Sequence, residues 1–243
     1  MRRPEPAVRP RPGPAAAVRS WHDPYVPEPP STPDRRTVLA GKAICALVAH
    51  LPWAWPMVSR PVMRFFDRAA RGWDDRTGAG SPEHLEALAT AVLEVGRAPE
   101  RILDLGCGTG AGTLFLSREF PRASVRGVDL SPEMVALAAA KVGLDPEGRV
   151  AFRQADAARL PFADESFDLV TQVNMPVFFA EIGRVLRPGG SVVIAHSLGP
   201  DPPFSPPEGP LRRRFSRRGV IATAAGRAGR GTWFVGQKGV SAR

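Results

Sequence analysis

Residues 102–110 read ILDLGCGTG, and glycine occupies every second position from Gly106 to Gly110. Glycine has no Cβ, so three alternating glycines allow the backbone to bend sharply and to approach a bound ligand closely. The residues that follow are predicted to open a helix, whose first N–H groups can meet an anionic part of the ligand. This stretch therefore predicts a ligand-binding loop rather than an ordinary tight turn.

Three acidic residues, Asp104, Asp129 and Asp156, lie at the ends of three successive predicted strands. The carboxyl ends of parallel strands meet at one edge of a sheet, where open α/β proteins bind their ligands. Asp104 stands inside an apolar strand end, so its carboxylate needs a partner, either an ammonium group of the ligand or backbone N–H groups of the protein. The three acids suit a ligand with an amino acid end, a ribose and an adenine amino group.

The glycine loop alone does not name the ligand. The segment GCGTGA at 106–111 also satisfies the dinucleotide pattern G-x-G-x-x-A, and Asp129 stands where a ribose-binding acid belongs in such proteins. A dinucleotide-dependent oxidoreductase therefore stays open as an alternative. A module that binds the ligand without catalysing a reaction is the other alternative.

The elements that position these residues begin at Ser81, where Ser-Pro opens a predicted amphipathic helix. Strands and helices then alternate, with strands at 101–106, 124–130, 150–156, 167–174 and 191–197, helices at 111–120, 131–143 and 177–186, and an RPGG turn before the fifth strand. This alternation predicts right-handed crossovers and a parallel sheet covered on both faces. After a proline-rich loop at 200–210 and a short basic helix, residues 219–238 read as a hairpin, so one late strand is predicted to run antiparallel.

Four motifs along this pattern are ILDLGCGTG, GVDLSPEMV, QADAARLPFADESFDLV and RVLRPGGSVVI. Together they resemble the successive motifs of class I S-adenosylmethionine-dependent methyltransferases, in particular the small-molecule branch that includes ubiquinone and menaquinone C-methyltransferases. The resemblance covers residues 81–197. It implies an α/β fold with a Rossmann-like, seven-stranded, mostly parallel sheet, a C-terminal antiparallel hairpin and helices on both faces.

The resemblance also implies how S-adenosylmethionine would be held. Asp104 would help hold its amino group, Asp129 would accept from both ribose hydroxyls, and Leu130 would pack on the adenine ring. Asp156 would accept from the adenine amino group, and the backbone N–H of Ala157 would reach a ring nitrogen. The residues that would wrap the methionine end are Gly106, Cys107, Gly108 and Gly110.

Methyl transfer from a sulfonium needs the acceptor held close and aligned in a water-poor cleft, and it needs no metal. A general base is required only where the acceptor must lose a proton. His196, after the fifth strand, is a candidate for that base, although a structural role is favoured, and His50 and His84 on predicted helices are expected to be structural. Asn174, in NMPVFF, is expected in the cleft near the transferred methyl, with Phe178 and Phe179 in the helix core.

The motif at 174–179 departs from the N-P-P-Y type found in methyltransferases that act on nucleic acid bases or a glutamine side chain, because Met175 replaces the first proline and Val177 the aromatic residue. Transfer to such amino groups is therefore poorly supported. The expected acceptor is a small molecule, and an apolar lid over the cleft would favour an apolar one.

The region before the core divides into two parts. Residues 1–34 contain ten prolines and no apolar period, which predicts a disordered Pro/Arg-rich arm, and residues 35–80 are predicted to form a helical cap or lid over the methyltransferase domain at 81–243. A twin-arginine signal at Arg35-Arg36 is the weaker interpretation, since no cleavage site follows. Peripheral membrane contact through residues 38–66, with Trp53 and Trp55 as interfacial anchors, is a further alternative.

The charge distribution argues against a nucleic-acid partner. The chain carries a net charge of +9, but residues 100–200 hold ten Lys/Arg and twelve Asp/Glu, and the excess lies near the ends. The basic stretch LRRRFSRR is expected to be a solvated helix face. Two cysteines without a CxxC or Cys/His cluster predict no structural metal and a reducing compartment, so the expected location is the cytoplasm, with membrane-peripheral attachment as the alternative.

Overall fold

The computed structural model describes residues 35–199, 204 and 206–240. The predicted arm at 1–34, and residues 200–203 and 205 of the proline-rich loop, lie outside the described residues. The region that precedes the core is helical and consists of α1 (Arg35–His50), a 3-10 turn (Pro52–Ala54), α2 (Trp55–Ala69) and α3 (Trp73–Thr77).

The first two helices meet at a sharp bend. Their axes differ by 117° across the break at Leu51, just before the 3-10 turn. Within the described ranges no single helix is long and apolar enough to cross a bilayer, and α1 and α2 meet that length and composition only as a bent pair. The segment 35–77, called the cap below, covers the carboxyl edge of the sheet.

The sheet has seven strands in the order β3-β2-β1-β4-β5-β7-β6. The strands are β1 (Arg101–Leu105), β2 (Ser124–Asp129), β3 (Val150–Gln154), β4 (Phe167–Val173), β5 (Leu186–His196), β6 (Val220–Ala228) and β7 (Gly231–Lys238). Strand β7 runs antiparallel to both of its neighbours, and β1 to β5 are parallel to one another. The predicted parallel sheet with a C-terminal antiparallel hairpin is therefore confirmed.

Five helices follow the cap, namely α4 (Pro82–Val92), α5 (Ala111–Glu119), α6 (Pro132–Ala140), α7 (Phe179–Val185) and α8 (Glu208–Ser216). Two of them start as predicted from Ser-Pro pairs. The Ser81 hydroxyl accepts the N–H of His84 at 3.2 Å, and the Ser131 hydroxyl accepts the N–H of Met134 at 3.2 Å. These side chains satisfy N–H groups that have no partner inside the helix.

Both faces of the sheet are covered by helices, as predicted. Successive side chains of a strand point to opposite faces. Leu103 and Leu105 belong to the core cluster that contains side chains of α7 and α8, whereas Ile102 belongs to the cluster formed with α4 and α5. In α8, Leu211 and Phe215 are buried while most of its arginines are exposed, so the basic stretch forms the expected solvated face.

The RPGG segment differs from the prediction. It was expected to form a turn before the fifth strand, but β5 already begins at Leu186. Gly189 has a φ of +78°, and the pairing of β4 with β5 shifts between Phe167 and Leu169. The glycine pair therefore forms a bulge inside the strand, because a left-handed residue lets the strand take up extra residues while its pairing continues on both sides.

Candidate functional site

A cleft of about 1190 Å³, including its open mouth, lies at the carboxyl edge of the sheet beneath the cap. It is placed around β1 and β4, which are adjacent in the sheet but not in the chain, and such a switch point is where open α/β sheets bind ligands. The sequence-predicted residues that line it are Asp104, Gly106, Cys107, Gly108, Asp129, Leu130, Asp156, Ala157 and Asn174. Gly110 is the one predicted site residue outside this lining.

The glycine loop adopts a conformation that only glycine takes readily. Gly106, Gly108 and Gly110 have φ values of +60°, +52° and +90°. A Cβ on Gly108 would meet nothing within 4 Å, whereas one on Gly110 would come within 2.9 Å of the Phe152 ring and 3.0 Å of the Ala138 methyl group. Gly108 therefore offers bare backbone to the cleft, and Gly110 lets the loop pack tightly against β3 and α6.

Asp104 is buried beneath this loop and is held by two threonines. The Thr113 hydroxyl donates to Oδ2 at 2.7 Å and the Thr171 hydroxyl donates to Oδ1 at 2.9 Å. The protein partners of this carboxylate are thus side-chain hydroxyls, and not the backbone N–H groups that were one of the two alternatives from the sequence. Burial raises the pKa of the Asp104 carboxyl to about 6, against an ordinary value of 3.8.

Asp129 ends β2 and faces the cleft. Its Oδ2 accepts the N–H of Gly108 and its Oδ1 accepts the N–H of Ser131, each at 2.9 Å. Burial raises the pKa of this carboxyl above its ordinary value. An ionised carboxylate has about four acceptor positions, so two remain for a ligand.

Asp156 follows β3, and its carboxylate accepts a hydrogen bond from the cap. The indole Nε1–H of Trp55 lies 2.9 Å from both carboxylate oxygens, and the N–H of Ala158 donates to Oδ1 at 2.8 Å. Trp55 is only 5% exposed. It does not serve as the interfacial anchor predicted from the sequence, because the bend between α1 and α2 turns it into the cleft.

An apolar cluster surrounds the Trp55 ring. Val48, Trp55, Ala157 and Phe178 are buried together, and Leu130 packs against them. The Phe178 ring meets the indole edge-to-face with centroids 5.2 Å apart. Phe178 was expected in the helix core with Phe179, but it precedes α7 and packs against the cap instead.

Two further hydrogen bonds tie the cap to the loops that follow β1 and β2. The Ser131 hydroxyl donates to Asp67 at 2.5 Å. The carboxylate of Asp74 accepts from the Thr109 hydroxyl and pairs with the Lys141 ammonium group. With the bond from Trp55 to Asp156, the cap is therefore bonded to all three acid-bearing strand ends.

Asn174 closes the far side of the cleft. Its φ of +54° is unusual for a residue with a side chain, although asparagine tolerates this region better than most. Its amide donates to the Ser197 hydroxyl at 2.8 Å and accepts the Ser197 N–H at 2.9 Å, and that hydroxyl lies 3.3 Å from His84 Nδ1. This hydrogen-bond network connects Asn174 to His84, which also lines the cleft.

The two histidines near the sheet differ in their position relative to the cleft. His196 is 2% exposed, does not line the cleft, and has no partner for either ring nitrogen within the described part of the chain. Burial lowers its pKa to about 4, so it is a neutral core residue, in keeping with the structural role favoured over that of a general base. His84 lines the cleft, with a pKa lowered by burial, and no signal in the sequence distinguished it from a structural helix residue.

Cys107 lies in the loop with its side chain 7% exposed. Burial raises the pKa of its thiol well above the ordinary value. The side chain is therefore a neutral thiol at neutral pH, and it acts as part of the loop and not as a nucleophile.

Comparison with known proteins agrees with this architecture. Residues 102–190 match the family described as a methyltransferase domain. An O-methyltransferase, cnsE, of Penicillium expansum is 35% identical over 155 residues, which cover 59% of this chain and 55% of that protein. The demethylmenaquinone methyltransferase of Thermus thermophilus is 40% identical over 121 residues, covering 46% of this chain and 52% of that protein.

Among solved structures, an S-adenosylmethionine-dependent methyltransferase from Aquifex aeolicus superposes with a TM-score of 0.54 at 21% identity, covering 65% of this chain and 94% of that one. At this identity the likeness shows the fold. The chain spans about half the length of the curated relatives it matches. The matched domain does not favour an oxidoreductase. Residues 102–190 of this chain therefore form a methyltransferase domain, within the fold of an S-adenosylmethionine-dependent methyltransferase.

Proposed function

We propose that this protein transfers the methyl group of S-adenosylmethionine to a small, apolar acceptor. The observation that carries the proposal is Asp129, whose carboxylate is fixed by the N–H groups of Gly108 and Ser131 and still has acceptor positions directed to the cleft. A carboxylate so placed suits the two neighbouring hydroxyls of a ribose. The open backbone at Gly108 lies beside it.

The charge of the cleft supports S-adenosylmethionine over a dinucleotide. The described residues that line it include Asp104, Asp129 and Asp156 but no Lys or Arg. S-adenosylmethionine carries a sulfonium and an ammonium group, whereas a dinucleotide carries two anionic phosphates. Opposite charges attract strongly in a partly buried cleft, so this lining favours the cationic ligand.

Different residues of the cleft would hold different parts of the cofactor. Gly106, Cys107 and Gly108 would take the methionine end, with Asp104 toward its ammonium group and Asp129 on the ribose. The adenine would lie against Leu130, Asp156 and Ala157. When bound, the cofactor supplies an activated methyl group, and the protein contributes alignment of the acceptor and exclusion of water.

His84 is the group we assign to proton removal. The titratable side chains that line the cleft are His84, Asp104, Cys107, Asp129 and Asp156. The three acids are used by the cofactor and the thiol is neutral, which leaves the imidazole. Its lowered pKa keeps it unprotonated at neutral pH, as a general base requires.

The acceptor end of the cleft is apolar and aromatic. Phe66 and Trp73 of the cap, together with Phe204, are the cleft-lining residues that we assign to this side. Such walls select an apolar molecule by the surface it buries and offer few hydrogen bonds to a polar one. We therefore assign the acceptor to apolar small molecules, for which quinone-like and lipid-like compounds are the first test set.

We also propose that the cap rests on an anionic membrane surface, which would make a cytoplasmic protein membrane-peripheral. Its outer side exposes Leu51, Trp53, Met57 and Phe65 at 47%, 74%, 76% and 54%. Residues 35–72 contain seven Lys/Arg and a single Asp. Apolar side chains set among cations are the composition of a helix that lies in a membrane interface.

The cofactor assignment is tested by calorimetric titration with S-adenosylmethionine, S-adenosylhomocysteine and NAD. Wild type is expected to bind both sulfur compounds, and Asp129→Ala is expected to bind them at least tenfold more weakly, because hydrogen bonds to a charged acceptor are lost. Asp164→Ala, whose carboxylate is exposed and bonded to Arg184, is the matched control. Binding of NAD alone would overturn the proposal.

Catalysis is tested separately by methyl transfer. Release of S-adenosylhomocysteine in the presence of an acceptor from the test set supports an enzyme. Tight cofactor binding without turnover on any acceptor would instead favour the non-catalytic module.

A further inference from the structure

One contact in the cleft is not used by the proposed reaction. The indole N–H of Trp55 lies 2.9 Å from each oxygen of Asp156, on a side chain that is 5% exposed. The two residues are separated by 101 positions in the chain, so the contact exists only while the cap is docked on the sheet. It joins the first residue of α2 to the loop after β3.

The same three residues that the proposed function gives to adenine surround this indole. Asp156 accepts its N–H, Ala157 is buried beside it, and Leu130 packs against their cluster. An indole and an adenine are both flat aromatic rings that carry an N–H donor at the edge. These residues therefore give the indole the same hydrogen-bond acceptor and apolar contacts that they would give the adenine ring.

We propose that Trp55 occupies the adenine subsite of the cap-docked protein and must leave it when the cofactor binds. The proposal rests on the proposed function, since it takes Asp156 as the adenine acceptor. Trp55 is then an internal competitor. Its chemistry resembles that of the adenine ring, and its release is coupled to the position of the cap.

The hydrogen-bond geometry favours competition over shared use. A donor at equal distance from both oxygens lies close to the bisector of the carboxylate, where an amino group would also approach. The N–H of Ala158 already occupies Oδ1 at 2.8 Å. The adenine ring also needs space beside the carboxylate. The indole fills this apolar part of the subsite, where it contacts the Phe178 ring at a centroid distance of 5.2 Å.

The remainder of the cleft is free for the other parts of the cofactor. Gly108 faces open space, and Asp129 keeps two acceptor positions. The methionine and ribose ends can therefore bind first, with the adenine displacing the indole afterwards. Affinity for the whole cofactor is lowered by the fraction of protein in which Trp55 holds the subsite.

The test compares wild type with Trp55→Phe by calorimetric titration with S-adenosylhomocysteine. The variant keeps an aromatic ring and loses the N–H, and we expect it to bind about tenfold more tightly, the value of one hydrogen bond to a charged acceptor. Trp53→Phe is the matched control, because Trp53 is an indole of the same cap that is 74% exposed and does not line the cleft.

A second readout follows the Trp55 indole in the wild-type protein. The chain has five tryptophans, so a 15N-labelled sample gives up to five indole N–H signals, and the Trp55 signal is the one absent from Trp55→Phe. Adding S-adenosylhomocysteine to wild type is expected to move that signal to the position of a solvent-exposed indole, while the signal of Trp233, whose Nε1 is buried and whose side chain does not line the cleft, stays unchanged.

The outcomes separate the two proposals. Equal or weaker binding by Trp55→Phe, with an unmoved Trp55 signal, overturns the internal competitor and makes Trp55 a supporting wall of the site. Failure of both proteins to bind either sulfur compound overturns the proposed function, and the competitor with it.

Discussion

The hydroxyl of Thr171 donates to Asp104 Oδ1 across 2.9 Å, between residues that stand opposite each other on neighbouring strands. The second oxygen of the carboxylate accepts from Thr113 at 2.7 Å, so helix α5 and strand β4 are both tied to this buried acid. Hydrogen bonds to the ionised form lower its pKa, but burial outweighs them and raises it to about 6. An anion buried in this way favours a cationic ligand above it.

We predict that Asp104→Asn stabilises the free protein at high pH and weakens cofactor binding. The folded-state pKa of about 6 lies above the ordinary 3.8, so the folded form holds a proton that the unfolded form has released. Stability from this group is complete below pH 4 and is lost as the pH rises to about 6, by at most about 3 kcal/mol. Asparagine imitates the protonated acid at every pH.

Urea unfolding at pH 4.5 and pH 8 checks this prediction. The gain of Asp104→Asn over wild type should be larger at pH 8, while its affinity for S-adenosylmethionine falls about tenfold because the charge toward the ammonium group is gone. A stability difference that does not change with pH would contradict the buried-anion account. Thr171→Val, which removes one donor to the anion, is expected to destabilise most at pH 8.

His84→Ala is predicted to lower kcat by at least hundredfold for an acceptor that loses a proton, with the cofactor Kd unchanged within twofold. Because burial lowers the pKa of His84 below 6.5, the acid limb of the kcat/KM profile should fall below that pH. Methyl transfer measured from pH 5 to 8 reports both effects. His50→Ala, on the exposed end of α1, is the control, and equal rates for the two variants would remove His84 from the reaction.

The strands and the glycine loop could be predicted because their signals are local. A run of apolar residues indicates the strand and glycine at every second position indicates the loop, so Gly108 and Asp129 could be predicted at the strand ends, where they line the cleft. The cap could not be predicted to the same depth. Trp53 and Trp55 are two residues apart and similar in sequence context, and the 117° bend decides that one is 74% and the other 5% exposed.

The positions of the two histidines could not be predicted either, because they depend on how the strands and helices pack. His196 follows a strand end that the pattern placed at the cleft, but strand alternation sets its side chain on the same face as Val192 and Ile194, inside the core. His84 reaches the cleft because α4 packs across β5 and β7. Neither relationship is written in the residues adjacent to the histidine.

We predict that Asp74→Asn loosens the cap without unfolding the sheet. Asp74 accepts from Thr109 in the glycine loop and pairs with Lys141, both partners lying outside the cap. Asparagine keeps an oxygen that can accept from Thr109, so the expected loss comes from the half-exposed ion pair with Lys141 and amounts to at most about 1 kcal/mol.

Limited trypsin digestion measures this loosening, because Arg64 and Arg68 lie on the exposed side of α2. Cleavage within the cap should quicken several-fold in Asp74→Asn, while a fragment that contains the sheet persists. Asp75→Asn changes the adjacent, exposed carboxylate and serves as the control. Identical digestion of the two variants would show that Asp74 does not hold the cap.

Membrane contact is predicted to depend on the outer side of the cap. Wild type should co-sediment with vesicles of phosphatidylcholine and phosphatidylglycerol at 3:1, and far less with phosphatidylcholine alone or at 0.5 M salt, since screening weakens the attraction of arginines to anionic lipid. The triple change Trp53→Ser, Met57→Ser and Phe65→Ser should lower partition at least tenfold.

The matched control for this experiment carries the same kind of change elsewhere. Leu93, Leu144 and Ile221 are apolar residues exposed at 79%, 104% and 66% outside the cap. Serine at these three positions removes a similar exposed apolar surface. If both triple variants lose partition equally, the cap has no special affinity for the membrane and the proposed attachment fails.

Gly108→Ala and Gly110→Ala are predicted to fail in different ways, although both glycines have a left-handed φ. Alanine at 108 meets nothing within 4 Å, so the expected cost in stability is only the roughly 1 kcal/mol of the backbone conformation. Its methyl group, however, would project into the cleft where the cofactor must approach the loop. We expect near-normal unfolding and at least tenfold weaker binding of S-adenosylhomocysteine.

Alanine at 110 carries the same backbone cost and adds contacts of 2.9 Å to the Phe152 ring and 3.0 Å to Ala138. Those atoms belong to a packed sheet and helix that must shift, which adds roughly 1–3 kcal/mol. Unfolding in urea should therefore separate the variants, with Gly110→Ala clearly the less stable. If Gly108→Ala binds the cofactor like wild type, the open side of Gly108 is not where the ligand lies, and the glycine loop serves the turn alone.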